Sequence, residues 1–466
     1  MNKFISLKTL ALLAGPLAFI CIQMFPPEEL SHEGRSVLAC TAWVAIWWVT
    51  EVVELAVTSL LPIVIFPLSG ALSLEATTTS YGNPYIFLFM GGFIIGLAIE
   101  YRNLHKRIAF SIINKVGTGE KKLILGFMVA TAFLSMWLSN TATAIMMLPI
   151  AYSVIYQFGH VQPFSRNLML GIAYAASIGG IATLIGTPPN LILAGVIKSS
   201  FDVEISFFQW MIFGVPYAAC MLLITYFFLT RFKPSVKQAI SFAPLSPITV
   251  AEKRVLVVFV LTALLWITRS FLFDKILPDL DDTIIAIFGA LMMFIIPSGM
   301  GDGGLIQWKQ AKNLPWDVLL IFGAGLAIAK GFSQTDLATW LASHFIAVNV
   351  LGPFILTLFV VAGVNLLTEI TSNTATASMM LPLLVSMGAS LGIDPLPLMV
   401  GGVLSASCAF MLPVATPPNA VVFSSGTIRI KDMVKTGFWL NIMAILITML
   451  FIQLVWPPVW GMEIFK

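Results

Sequence analysis

The sequence predicts an all-α polytopic membrane protein of about eleven transmembrane helices and two re-entrant hairpins, folded as an inverted repeat. Three observations lead there: a composition suited to lipid, basic connections that recur at alternating positions, and a duplicated pair of polar motifs.

Of the 466 residues, 58% are hydrophobic and only 10% are charged, against about 25% charged in a soluble domain. The apolar stretches 10–25, 87–99, 221–229, 255–267 and 442–455 approach the roughly 20 residues that cross a bilayer. The longest polar connections, 100–122 and 231–254, are too short and too poor in core residues to fold alone, so one membrane domain is expected.

The net charge of +3 is small, but its placement is ordered. Lys3 and Lys8 precede the first apolar stretch and Glu28, Glu29 and Glu33 follow it, which puts the N-terminus in the cytoplasm. Basic residues cluster again at Arg102, Lys106, Arg107, Lys115, Lys121 and Lys122, at Arg231, Lys233, Lys237, Lys253 and Arg254, and at Arg429, Lys431 and Lys435. All three connections are expected in the cytoplasm. The connection 274–282 carries Asp274, Asp279, Asp281 and Asp282 against Lys275 and suits the opposite face. Eleven spans satisfy this alternation, with a periplasmic C-terminus. A cleaved signal peptide fits less well, because no small-x-small site follows Phe25.

Self-similarity is the strongest signal. Residues 132–149 align with 365–382 without a gap, matching Ser139-Asn140-Thr141 to Ser372-Asn373-Thr374. Downstream, Gly186-Thr-Pro-Pro-Asn190 matches Ala415-Thr-Pro-Pro-Asn419, and upstream Pro84 and Gly91-Gly92 match Pro315 and the Gly323/Gly325 segment. An odd number of spans between Pro84 and Pro315 inverts the second half relative to the first. That count takes 122–157 and 350–391 as hairpins returning to their starting side. The polar motif at the middle of each needs protein or water around it rather than lipid.

The Thr-Pro-Pro-Asn segments break helices because two consecutive prolines supply no N–H and disfavour helix in the residue before them. Carbonyls near 183–187 and 412–416 are thereby expected to become free. Na⁺ is a hard cation that takes oxygen ligands. Ser135, Ser139, Asn140 and the Gly186 carbonyl form one candidate set, and Thr368, Thr371, Asn373 and the Ala415 carbonyl form the other. Ser135 and Thr368 each lie four residues before the motif serine, on one helical face with it. Between the two sets, Asn140, Thr141, Asn373 and Thr374 can donate to carboxylates, helped by half-helix N-termini. A dianion held without a basic partner needs bound cations for compensation, which couples the two.

A single Ser-Asn-Thr in a membrane helix is more often packing than ligand. Duplication, with a Pro-Pro break following each copy, favours ligands. Glu369 stands where the first hairpin has Met136, and two readings stay open: a proton or cation site, or a structural cap. Glu51, Glu54 and Arg269 are expected at span ends or interdomain contacts. His32, His105, His160 and His344 have no metal-ligand spacing, and the four cysteines form no CxxC pair. Residues 104–116 read as a basic amphipathic stretch on the cytoplasmic surface, and Trp43, Trp47 and Trp48 as interfacial anchors. No nucleophile–base pair points to an enzyme. No nucleic-acid partner is expected, nor any cofactor beyond Na⁺.

The twin Ser-Asn-Thr-Ala-Thr-Ala and twin Thr-Pro-Pro-Asn motifs resemble those of the divalent anion/sodium symporter family, and the resemblance covers nearly the whole chain. It implies a homodimer in a bacterial inner membrane, working as an elevator. A scaffold of residues 10–115 and 250–347 would hold a moving transport domain of 118–232 and 348–457. It also implies that the two oxygen sets are the cation sites and that Asn140, Thr141, Thr187, Asn373, Thr374, Thr416 and Pro417 contact substrate. The expected activity is Na⁺-coupled symport of C4-dicarboxylates such as succinate, fumarate and malate. A citrate transporter, a Na⁺-independent dicarboxylate exchanger and an anion channel are the alternatives.

Overall fold

The computed structural model describes residues 7–159, 161–234, 246–273, 276–345 and 352–455. Lys3, His160, Lys237, Asp274, Lys275, the ends of the stretch 348–457 and both chain termini lie outside them. Regular structure among the described residues is helical, apart from one isolated bridge between Pro297 and Gly304.

Seven of these helices are long and apolar enough to cross a membrane, and four further apolar helical segments are shorter. Helix length thus marks fewer than eleven crossings. One of the seven, Asn373–Leu391, is the second arm of an anticipated hairpin. Large apolar side chains face outward along these helices, with Leu264 49%, Phe288 54% and Phe227 63% exposed. Water would penalise such a surface, whereas lipid does not.

The duplication read from sequence extends to the order of helices. The first half runs through Pro84–Tyr101, Leu104–Val116, Glu120–Ser135, Asn140–Gln157, Phe164–Ile181, Pro188–Phe201 and Phe207–Leu229. The second repeats it as Trp316–Gln334, Leu337–Phe345, Gly352–Thr368, Asn373–Leu391, Pro395–Ala406, Pro417–Phe423 and Ile430–Leu454. Each Ser-Asn-Thr motif is the tip of a helix–turn–helix. Each Thr-Pro-Pro-Asn motif opens a new helix after an unwound step, with Thr187 and Thr416 in extended conformation and the prolines at the first helical positions. There the missing N–H costs nothing, so the prolines start a second rod as well as ending the first.

Helices Phe164–Ile181 and Pro395–Ala406 are buried along almost their whole lengths. Each packs against the hairpin of its own half, the first through Gly179, where a Cβ would come within 2.3 Å of the Ala132 carbonyl. These two buried helices lead directly into the unwound steps, which places the steps at the centre of the protein.

The basic connections gather at one end of the molecule. Arg107, on the amphipathic helix Leu104–Val116, pairs with Glu252 at 3.2 Å and donates to the Ser246 carbonyl, joining the first basic connection to the second. Arg231 of the second and Lys435 of the third line one cleft. At the far end of the rod Val250–Phe273, Arg269 pairs with Glu204 at 2.6 Å and with Asp282 at 3.4 Å. Basic and acidic connections thus cap opposite ends of a rod long enough for a ~30 Å hydrocarbon core.

Candidate functional site

In the first half, Ser135 ends one arm of the hairpin and Asn140 begins the other, so the tip folds their side chains together. Ser135 Oγ lies 2.6 Å from Asn140 Oδ1 and donates to the Ala176 carbonyl at 2.7 Å. The outer end of the Asn140 amide also meets the carbonyls of Ala176 at 3.1 Å and Gly186 at 3.2 Å. Turned so that Nδ2 faces this cluster, the amide is placed to donate to Ser135 Oγ and to the Ala176 and Gly186 carbonyls. Such a cluster is at rest only with the amide turned to donate, or with a positive ion among the oxygens. Gly180 makes room for it: a Cβ would come within 2.5 Å of Asn140 Oδ1 and 3.0 Å of the Gly186 carbonyl.

The second half repeats the arrangement. Thr368 Oγ1 lies 2.7 Å from Asn373 Oδ1 and 2.8 Å from the Ala406 carbonyl, with one hydrogen to donate between them, at the positions of Ser135, Asn140 and Ala176 in the first half. Both sets consist of neutral oxygens, the donors a hard monovalent cation takes. Among the described residues no group of three His, Cys, Asp or Glu side chains could hold a metal ion instead.

The two tips and the two unwound steps line one cavity of about 600 Å³. It brings together Ser139, Asn140, Thr141, Gly186 and Thr187 from the first half with Asn373, Thr374, Ala415, Thr416 and Pro417 from the second. Ser135 and Thr368 are fully buried behind the asparagines. Thr371 stands apart, because its hydroxyl donates to the Leu367 carbonyl and meets Thr376 Oγ1 inside the hairpin. Ser139 Oγ also caps its helix by accepting from Ala142 N at 3.2 Å. Among the described residues no lysine or arginine lines the cavity, but Glu51 and Asp317 do. Glu51 caps the end of the helix His32–Thr50 and Asp317 lies at the start of Trp316–Gln334.

Several contributors were invisible in the sequence. The carbonyls expected to be free are only partly so, because the asparagine closing each Thr-Pro-Pro-Asn motif reaches back to them. Asn190 Nδ2 donates to Thr183 O at 2.8 Å and Gly180 O at 3.2 Å, and Asn419 Nδ2 to Leu412 O at 3.0 Å and Ala409 O at 3.1 Å. Thr183 and Leu412 therefore drop out as ligands, and Gly186 and Ala415 remain at the cavity wall. Thr183 Oγ1 also donates to the Met136 carbonyl at 2.5 Å, tying the unwound step to the hairpin tip.

Glu369 takes the structural role of the two readings. Its buried carboxylate accepts from the backbone N–H of Phe410 at 2.7 Å, Met411 at 2.9 Å and Leu412 at 3.0 Å, and from Asn441 Nδ2 at 2.6 Å. Those amides belong to the second unwound step, so Glu369 fixes the shape of the segment leading to Ala415.

The model of the family described as the sodium:sulfate symporter transmembrane region matches residues 6–462. The chain is 42% identical over 478 residues to the sodium-dependent dicarboxylate transporter SdcS of Staphylococcus saprophyticus, covering 97% of this chain and 92% of that one. It is 43% identical over 482 residues to the SdcS of Staphylococcus aureus strain USA300, covering 98% and 92%. Two solved structures share the fold at low identity. The YdaH transporter of Alcanivorax borkumensis superposes with a TM-score of 0.59 at 16% identity, covering 84% of this chain and 88% of that one. MtrF of Neisseria gonorrhoeae gives 0.58 at 13%, covering 93% and 97%.

Proposed function

The chain belongs to the sodium:sulfate symporter family of membrane transport proteins, and on that premise we propose that it imports C4-dicarboxylates together with Na⁺. The observation that carries this reading is one cavity lined by both Ser-Asn-Thr tips and both Pro-Pro starts, with no lysine or arginine among the described residues that line it. Glu51 and Asp317 on its wall make a bare dianion still less favourable there. Positive charge has to arrive with the substrate, and the two oxygen clusters are the places for it. Na⁺ at Ser135, Asn140 and the Gly186 carbonyl, and at Thr368, Asn373 and the Ala415 carbonyl, offsets the carboxylates held by Asn140, Thr141, Asn373 and Thr374. Ser139 completes the first set, and Thr187, Thr416 and Pro417 shape the substrate wall between the two. Two relatives named as sodium-dependent dicarboxylate transporters support the choice of ion and substrate class.

The inverted arrangement follows from the duplication, and the elevator, its two domains and the homodimer are carried over from the family resemblance. The halves lie inverted in a bacterial inner membrane through eleven spans, with the two hairpins re-entrant and the N-terminus cytoplasmic. A transport domain of 118–232 and 348–457 moves as an elevator against a scaffold of 10–115 and 250–347, which holds a homodimer. The gathering of the three basic connections at one end supports that orientation.

The test is uptake of labelled succinate into proteoliposomes, competed by a panel of di- and tricarboxylates, with and without a Na⁺ gradient. Saturable uptake that follows the gradient and is competed by fumarate and malate is expected. Strong competition by citrate would move the substrate class, and flux that neither saturates nor depends on Na⁺ would replace the carrier with a channel.

A further inference from the structure

A second cleft, of about 710 Å³, opens far from the Ser-Asn-Thr cavity and shares none of its residues. Three helix ends meet there. Arg166 comes from the start of Phe164–Ile181, Arg231 follows the end of Phe207–Leu229, and Lys435 lies near the start of Ile430–Leu454. Asp432 is the carboxylate among the lining residues, set against these three cations. It pairs with Arg166 at 3.1 Å, with both side chains about one-third exposed, and leaves the cleft with an excess of positive charge. The guanidinium of Arg231 lies over the Phe228 ring at 5.1 Å. The wall is held by Asn167, whose buried amide donates to the Leu229 carbonyl at 2.6 Å and fixes the end of one helix on the start of another.

The cleft is graded along its length. Lys435, Trp439 and Met443 fall four residues apart on one face of their helix, stepping from charge to interfacial aromatic to apolar over about 12 Å. The facing helix makes the same change from Arg231 at its end to Phe227 and Ile224 one to two turns deeper. Trp439 is 49% and Phe227 63% exposed, so an apolar occupant has surface to cover. A small anion such as inorganic phosphate would answer the charges and leave that apolar end empty.

We propose that this cleft binds an anionic phospholipid from the cytoplasmic leaflet. The headgroup phosphate lies between Arg231 and Lys435, and an acyl chain runs along Trp439, Met443 and Phe227. Basic pockets between membrane helices on the cytoplasmic side take such headgroups. Arg231 comes from the first half of the repeat and Lys435 from the second, so the lipid joins the halves at the end of the molecule away from the acidic connection. The leaflet rests on the orientation proposed above. The chemistry of the cleft does not.

Native mass spectrometry of the purified protein, equilibrated with equal amounts of phosphatidylglycerol and phosphatidylcholine, tests this. The wild type should retain phosphatidylglycerol about tenfold over phosphatidylcholine, and Arg231→Gln/Lys435→Gln should bring the ratio close to one. Lys435→Arg should keep the preference, and so should Lys309→Gln/Lys312→Gln at exposed sites elsewhere. Should the double variant fail to fold, Lys435→Gln alone, on an exposed helix turn, should lower the preference about threefold. Displacement of the lipid by millimolar inorganic phosphate would overturn the proposal, as would a double variant as selective as the wild type, or loss of selectivity on neutralising Lys309 and Lys312. The readout is lipid mass rather than uptake, so it stands or fails independently of the transport reading.

Discussion

The two hairpins build one oxygen cluster twice and brace it in two different ways. Ser135, Asn140 and the Ala176 carbonyl in the first half correspond to Thr368, Asn373 and the Ala406 carbonyl in the second, with hydroxyl contacts of 2.6 to 2.8 Å in both. Behind them Asn190 and Asn419 brace the unwound steps alike, but the other supports differ. In the first half, glycines at 180 and 186 let backbone and amide close in, and Thr183 ties the unwound step to the tip. In the second, Ala415 replaces Gly186, and a carboxylate, Glu369, clamps three successive backbone amides. The oxygen cluster is kept in both halves while part of its support differs, as expected if the oxygens are what both halves need.

The largest effects should come from the shared part. On the proposed reading Asn140→Ala and Asn373→Ala would each remove a cation ligand and a substrate donor, so each should lower uptake by about a hundredfold or more while the protein stays folded. Near-normal transport by one of them would break the equivalence of the halves; near-normal transport by both would remove the site. Next comes the first half alone. Gly180→Ala places a methyl 2.5 Å from Asn140 Oδ1 and should raise the Na⁺ concentration for half-maximal uptake about tenfold. An unchanged Na⁺ dependence would mean that the first cluster does not hold the ion.

Smaller effects should separate the braces. Glu369→Gln keeps the shape but loses the charge that four donors share, and should lower stability by about 2 kcal/mol, read as an earlier thermal transition. If the transition does not move, the carboxylate is not what fixes the second step. Thr183→Val removes one hydroxyl donor to the Met136 carbonyl and should cost about 1 kcal/mol, with uptake largely kept.

Much of the fold was legible because lipid imposes a composition and duplication imposes an order, and both are written residue by residue. The hairpin tips were legible for the same reason, since a polar triplet inside an apolar run has few places to go. The supporting contacts were not. Ala176 and Ala406 contribute backbone carbonyls, which every residue has, so nothing in their side chains marks them. The role of Asn190 and Asn419 depends on carbonyls seven to ten residues back in an unwound turn, which only the folded path brings within reach. Thr371 showed the opposite failure: a hydroxyl beside the motif looked like a ligand, yet the hairpin uses it internally. Glu369 could be read two ways until the amides of 410–412 were found around it.

The central claim is that Na⁺ in the two oxygen clusters supplies the charge that lets a dicarboxylate sit in a cavity without a basic side chain. Equilibrium binding of labelled succinate to the purified protein, in Na⁺ and in K⁺ at equal ionic strength, tests it most directly. Saturable binding in Na⁺ that disappears in K⁺ is the predicted result. Binding of equal strength in both would contradict it.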